Sequence, residues 1–366
     1  MEAYGAASRF WQEPRSHSLS VLCAVPIFKP MRAQDLLHPR PEGLYCPPGD
    51  FYIDPVRPVA RALITHGHGD HARPGNTAVM ATRQTLDIMA IRYGAEFAQT
   101  SQPAEWGVPQ TVGDCTVTFH PAGHVLGSAQ IAVECDGLRI VASGDYKRRH
   151  DPSCQPFELV PCDIFITEAT FALPVFRHPD SKSEIAKLLR SVAQFPDRTH
   201  MVGAYALGKA QRVIRELRDA GYDKPIYIHG ALQKLCDYYE TQGIALGPLE
   251  PATLEKGSKK DFAGAIVVGT PSSFADRWAR RFADPVAAFA SGWMQVRQRA
   301  RQRGVELPLI ISDHCDWDEL CQTIDETGAE EIWVTHGREE ALVRWCELKQ
   351  LKARPLHLVG YEDEAE

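Results

Sequence analysis

Apolar residues along this 366-residue chain change their spacing near position 180. Before that point they form short runs that stop at Gly, Pro, Asp or His. "ARALITH" (60–66), "AVMAT" (78–82), "CTVTFHPA" (115–122) and "CDIFITEAT" (162–170) read as strands. "AQIAVECDGLRIVASGD" (129–145) predicts two strands joined at Asp136-Gly137, a strong hairpin signal. "RQTLDIMAIRYG" (83–94) has helical spacing and a C-terminal glycine, Gly94.

After 180 the spacing lengthens. "SKSEIAKLLRSVAQF" (181–195) opens with Ser181 and Glu184 at capping-box distance, then carries a helical apolar stripe. "THMVGAYALGKAQRVIRELRDAG" (199–221) predicts a strand, a glycine-containing turn and a helix closed by Gly221. "KPIYIHGALQKLCDYYETQG" (224–243) repeats that order, and "AGAIVVGTPSSFADRWARRF" (263–282) begins it a third time. Strand alternating with helix marks a parallel α/β layer. From 305 the chain reads strand, helix, strand, helix.

The fold class predicted is α/β. It comprises an N-terminal extension (1–30), a four-layer domain (31–178), an inserted α/β domain (179–305) and a segment returning to the first domain (306–366), whose end "YEDEAE" is expected to fray.

Composition narrows the class. Hydrophobic residues make up 44% and charged residues 24%, ordinary for a globular protein. No run approaches the ~18 apolar residues of a membrane span. "SLSVLCAVPIF" (18–28) is short and lacks a small-residue cleavage pattern, so a cytoplasmic protein is expected rather than an exported one. The 10 cysteines are scattered with no C-x-x-C pair, which predicts reduced thiols and leaves any metal to His and Asp. A net charge of −7 argues against a strongly basic nucleic-acid surface. One stretch runs the other way: 277–304 holds seven arginines against Asp284 alone, with Trp278, Phe282 and Trp293 interleaved.

"ALITHGHGDHARPG" (62–75) places His66, His68, Asp70 and His71 in one loop leaving a strand. Side chains two apart point the same way, so His66 and His68 can share an ion, while Asp70 and His71 serve a second. Gly67 and Gly69 permit the tight path. Two ions need more ligands, and strand ends supply them: His124 in "PAGHVLGSA", Asp145 in "VASGDY" and His336 in "WVTHG".

Taken together these motifs resemble the metallo-β-lactamase superfamily and, within it, the β-CASP nucleases. The H-x-H-x-D-H run, Gly123-His124, Gly144-Asp145 and Asp54 in "FYIDP" match the superfamily's motifs; "TEAT" (167–170), "SDHCDW" (312–317) and "VTHG" (334–337) look like the additional β-CASP ones. The texture is most similar to bacterial DNA-ligase-associated exonucleases, through "RPVARALITHGHGDHARPG", "KPIYIHGAL" and "LHLVGYEDE". The resemblance implies a four-layer αββα sandwich with an inserted β-CASP domain. It implies that His66, His68 and His124 hold one metal, Asp70, His71 and His336 another, and Asp145 bridges them. Asp54 would orient the loop, and Glu168 and His314 would form a pair whose imidazole protonates the leaving oxygen.

A His/Asp site without thiolate suits two Zn²⁺, with Mn²⁺ the alternative. Cys315 beside His314 lacks a base and an orienting partner, which argues against a Cys–His nucleophile. Nucleic-acid contacts are expected at Arg277, Arg280, Arg281 and Arg297 and, in "TPSS", at Ser272 and Ser273.

The leading expectation is a metal-dependent nuclease, a DNA exonuclease tied to repair, acting on single-stranded DNA or DNA ends in functional association with DNA ligase and helicase. An RNA-processing nuclease, of the RNase J or mRNA 3′-end type, is the competing one; His336 is the residue typical of RNA-acting relatives. An inactive scaffold would lose ligands that this chain keeps. A small-molecule hydrolase would need neither the insertion nor the Glu168/His314 pair.

Overall fold

The computed structural model describes residues 31–253 and 262–358; the extension expected over 1–30 and the terminal "YEDEAE" lie outside the described residues. A first sheet of six strands takes them in chain order: β1 (His38–Arg40), β2 (Gly43–Cys46), β3 (Phe51–Ile53), β4 (Arg61–Leu63), β5 (Asn76–Thr82) and β6 (Ala98–Ala104). Helix α1 (Arg83–Tyr93) follows β5, capped by Thr82 and ended at Gly94 as its spacing predicts. A second sheet contains β7 (Gln110–Val112), β8 (Cys115–Pro121), β9 (Ala129–Cys135), β10 (Leu138–Ala142) and β11 (Ile164–Ala169). The expected hairpin joins β9 and β10, with Leu138 opposite Cys135.

The chain then leaves this sheet. Helix α2 (Ser181–Gln194) leads to β12 (His200–Gly203), α3 (Lys209–Asp219), β13 (Ile226–Ile228), α4 (Gln233–Thr241), β14 (Leu249–Pro251), β15 (Ile266–Gly269) and β16 (Val286–Ala290). A short α5 (Arg297–Gln302) precedes β17 (Leu307–Leu309). These strands form a third sheet, wholly parallel, in the order β14-β13-β15-β12-β16-β17. After α6 (Trp317–Thr327) the chain re-enters the second sheet as β18 (Glu331–Gly337), beside β11, and finishes with α7 (Glu339–Leu348) and β19 (Lys352–Pro355).

The first two sheets share one core, in which Phe51, Leu63 and Met80 meet Phe119, Ile131 and Ile166. Burying each such side chain stabilises the fold by roughly 1.5–3 kcal/mol. Helix α1 covers the outer face of the first sheet through Leu86 and Met89. Helices α6 and α7 cover that of the second through Leu320, Ile324 and Leu342. Among the described residues no helix is long and apolar enough to cross a membrane.

Two local expectations fail. The N-cap of α2 is Asp180, whose carboxylate accepts from the Lys182 amide, and not Ser181. Glu184 therefore serves elsewhere, accepting from the Ile310 amide at 2.7 Å. The third strand–helix repeat is also absent: β15 is followed by single 3₁₀ turns at Pro271–Phe274 and Ala279–Arg281, then by β16. Trp278 and Phe282 are instead buried against Met201 and Val267 on one face of the third sheet.

Candidate metal centre

Strand polarity assembles the site. β10, β11 and β18 run parallel as neighbours, so Asp145, Glu168 and His336 emerge at one edge. β3 and β4 do the same in the first sheet, delivering Asp54 beside Thr65 and the histidine loop. Pairing of β11 with β18 slips after Glu168: Glu168 faces Thr335, whereas Ala169 faces Gly337. His336 is the extra residue of that bulge, at φ 56°. Bulges at strand ends re-aim a side chain, and here the ring comes to stack on His71 at 4.9 Å. Asp54 also holds a left-handed backbone, at φ 44°. Such conformations cost roughly 1–3 kcal/mol each and persist where surrounding contacts impose them. Gly144 is needed before Asp145, because at its φ of 56° a Cβ would meet Thr65 at 2.8 Å.

Asp54 organises the loop. Its Oδ1 accepts from the Thr65 amide at 2.7 Å, and its Oδ2 accepts from the Thr65 hydroxyl at 2.5 Å and from His71 Nδ1 at 2.8 Å. With its proton given to Asp54, the Thr65 oxygen accepts from His66 Nδ1 at 3.0 Å. Main-chain carbonyls orient two further rings: His68 Nε2 donates to Leu207 at 3.2 Å and His124 Nδ1 to Asp313 at 2.9 Å.

Each of the three rings thus carries its proton on the outer nitrogen and turns a lone pair inward. The inward atoms crowd together: His68 Nδ1 lies 3.1 Å from both His66 Nε2 and His124 Nε2. Three acceptors facing one another repel unless a cation lies among them. Asp145 adds a carboxyl oxygen 3.5 Å from His66 Nε2, 3.8 Å from His124 Nε2 and 3.5 Å from His71 Nε2. Asp70 Oδ2 stands 3.7 Å from the same His71 atom. This His/Asp cluster can hold a metal ion.

Electrostatics sets His71 apart from the other rings, since burial and the nearby His71 push even His336, on the same side, well below the usual range. Burial and the neighbouring histidines push His66 and His124 well below the usual range, leaving both neutral. Burial also opposes a charge on His71, yet Asp145, Asp70 and Asp54 raise it to about 10. Burial raises the Asp145 carboxyl to about 8.

Beside the cluster, His314 Nδ1 lies 2.9 and 3.1 Å from the two oxygens of Glu168. The Tyr146 amide and Thr170 hydroxyl also donate to that carboxylate, at 2.9 and 2.5 Å. Burial opposes the imidazolium, but Glu168, with Asp145 and Asp313 adding to it, raises His314 to about 10. Cys315 is buried and its thiol is pushed up, with its amide donating to the Tyr146 carbonyl. That suits packing rather than nucleophilic attack.

The expected nucleic-acid contacts divide. Arg277, Arg280, Arg297 and Ser272 are exposed. Ser273 is buried, with its hydroxyl donating to the Thr270 carbonyl at 2.7 Å. Arg281 is exposed too, with its guanidinium anchored to the Trp278 and Ala252 carbonyls. Trp293 packs on Phe171 at 4.7 Å, and Phe171 lies 6.2 Å from His314.

Sequence reading passed over Thr65, Lys209 and Asp313. Thr65 immediately precedes the H-x-H-x-D-H run, and Asp313 lies within "SDHCDW". Lys209 carried a quieter signal, a cation at the first position of a helix with no acid in the first turn.

No protein-family model matches the chain. It is 28% identical over 328 residues to a "Probable DNA ligase" from Opitutus terrae, covering 83% of this chain and 30% of that protein. It is 30% identical over 175 residues to "Endoribonuclease ysh1" from Aspergillus fumigatus, covering 46% of this chain and 19% of that protein. The chain thus spans a third or less of the length of these curated relatives. A solved structure of a protein of unknown function from Enterococcus faecalis V583 aligns with a TM-score of 0.56 at 12% identity, covering 82% of this chain and 80% of that one, and shares the fold. These relatives agree with the resemblance to β-CASP nucleases of the metallo-β-lactamase superfamily that the motifs carry.

Proposed function

We propose that the chain is a metal-dependent nuclease of the β-CASP type, with a two-metal phosphodiesterase site. The observation that carries the reading is the trio of inward lone pairs on His66, His68 and His124, with His68 Nδ1 3.1 Å from each of the other two and Asp145 between them and the Asp70/His71/His336 side. Donors on a tetrahedral zinc sit roughly 3.3 Å from one another, close to that spacing. His66, His68 and His124 would hold one Zn²⁺, Asp70, His71 and His336 the other, and Asp145 both, with Mn²⁺ the alternative. Two such ions, when bound, lower the pKa of water and brace the oxygens of a phosphoryl group under in-line displacement. Asp54 keeps the histidine loop in position. Glu168 accepts from His314 Nδ1 and so holds a proton on that ring for the departing oxygen.

The packed helices and sheets support a four-layer αββα domain (31–178 and 306–366). Residues 179–305 read as its inserted β-CASP domain, with the strand at 307–309 completing the third sheet. The C-terminal ends of β12, β15 and β16 bring Tyr205, Thr270, Ser272 and Trp293 to one edge of that sheet, where strand topology favours ligand binding. Exposed Arg277, Arg280 and Arg297 would add phosphate contacts.

For the substrate we favour DNA attacked from an end, in a cytoplasmic repair role linked to a DNA ligase and helicase, because the ligase relative aligns over 83% of the chain. The RNA reading rests on His336 and on the endoribonuclease relatives. The test is degradation of matched 5′- and 3′-labelled single-stranded DNA and RNA by zinc- or manganese-loaded protein, with Asp70→Ala as control. DNA loss that vanishes in the variant, with one label released first, supports the exonuclease. Preferential RNA cutting assigns the chain to RNA processing. No metal-dependent cutting of either overturns the nuclease reading and leaves the scaffold.

A further inference from the structure

The chain between β12 and α3 reaches across to the histidine cluster. The Leu207 carbonyl accepts from His68 Nε2, and Lys209, two residues on, pairs with the Asp313 carboxylate. Asp313 in turn presents its own carbonyl to His124 Nδ1. Two of the three inward-facing rings therefore take their orientation from contacts that depend on this turn. The third, His66, is oriented by Thr65, which Asp54 holds, and Asp54 also accepts from His71 on the other side of the centre. The centre is thus built asymmetrically. One half leans on the segment that leaves the second sheet, and the other half does not.

Lys209 is an unusual residue to find there. It opens an eleven-residue helix, where the macrodipole disfavours a cation, and it is buried with no acid in the first turn to offset it. Its counter-ion lies 104 residues away in sequence. Asp313 is buried as well, and its Oδ2 accepts no hydrogen bond, so Lys209 supplies the direct neutralising contact. Arg212, one turn along α3, donates to the Ser312 carbonyl at 2.5 Å and steadies the same loop. The turn itself is tightly seated: Gly208 sits at φ +83°, and a Cβ there would meet Val125 Cγ1 at 2.3 Å, next to His124.

We infer that the Leu207–Lys209 turn is a positioning element for the His66/His68/His124 half of the centre, with Lys209 acting through Asp313 on His124 and the Leu207 carbonyl acting on His68. The inference rests on the two-metal reading. Groups that orient metal-bound histidines typically change affinity 10–100-fold.

The experiment is zinc titration of the full, metal-stripped chain against a chromophoric chelator, with circular dichroism to verify folding. Wild type should bind two equivalents tightly. Lys209→Met should keep one and bind the other 10–100-fold more weakly, and Lys209→Arg should recover most of the loss. His336→Ala, which removes a ligand from the opposite half, should also keep one, and the Lys209→Met/His336→Ala double variant only the site that Lys209→Met weakens, with no tight equivalent left. Gly208→Ala should repeat the Lys209→Met result without changing any charge, and it decides the matter if Lys209→Met does not fold. Two unchanged sites in folded Lys209→Met or Gly208→Ala, or equal weakening of both, would overturn the inference. A wild-type chain that binds no zinc would instead overturn the two-metal reading itself.

Discussion

At the histidine–aspartate centre, charge is buried and His66, His68, His71 and His124 each have a fixed hydrogen-bond partner. Along 277–303, charge is exposed and neighbouring side chains have opposite fates. Trp278 donates its indole N–H to the Ala252 carbonyl and packs on Phe282, while Arg277 and Arg280 on either side of it stand in solvent. In the first region an ångström of displacement changes chemistry; in the second, the contribution is a positive field that tolerates movement. The two regions should respond to mutation in different observables, rate against salt dependence.

The sharpest contrast comes from Asp145, the carboxylate between the two halves. Asp145→Ala should lower cutting on the order of 10³-fold or more, matching the several kcal/mol that catalytic metals contribute, with one zinc equivalent lost. Glu168→Gln should cost about 10²-fold, and its pH profile tells why. With Glu168 present, His314 is raised to about 10 and keeps its proton through neutrality. Without that anion, burial drives the ring pKa down, so the basic limb of the rate profile should move to lower pH. An unmoved limb would make Glu168 structural only.

Metal loading should itself depend on pH. Burial opposes a charge on His71, but the Asp145, Asp70 and Asp54 carboxylates raise it to about 10, so this coupled group keeps a proton at pH 7 in the metal-free protein that binding must release. Affinity should rise by about tenfold or more per pH unit between 6 and 8, with proton release measurable by calorimetry in buffers of differing ionisation enthalpy.

Along the arginine stretch effects should be smaller on rate. Arg277→Ala with Arg280→Ala should leave the rate at saturating substrate unchanged. The salt slope of binding should fall by about 0.7 for each single-strand phosphate left without its arginine. Trp278→Ala should instead lower stability by about 3–5 kcal/mol in urea unfolding, with its folded fraction binding nucleic acid as wild type does. Loss of binding in the folded fraction would move Trp278 from the core to the substrate surface.

The same contrast explains what could be read from the chain. His66, Asp145 and His336 were legible because each ends an apolar strand, and parallel neighbours bring strand ends together. The bulge that re-aims His336 was not, because it comes from a one-residue slip between β11 and β18. Asp180 displaced Ser181 as the cap of α2 by a one-residue margin that local pattern does not resolve. The helix expected after β15 failed because the burial of Trp278 and Phe282 against the third sheet outweighs local spacing. Lys209 was hidden for a different reason, since its meaning depends on Asp313, distant in sequence and adjacent in space.

The most direct test of the two-metal account is cleavage of a labelled single strand as zinc is added stepwise to metal-free protein. The account predicts little cutting through the first equivalent, a steep rise as the second fills, and a plateau beyond it. Full rate at one equivalent, or none at two with the chain folded and both ions bound, would contradict it.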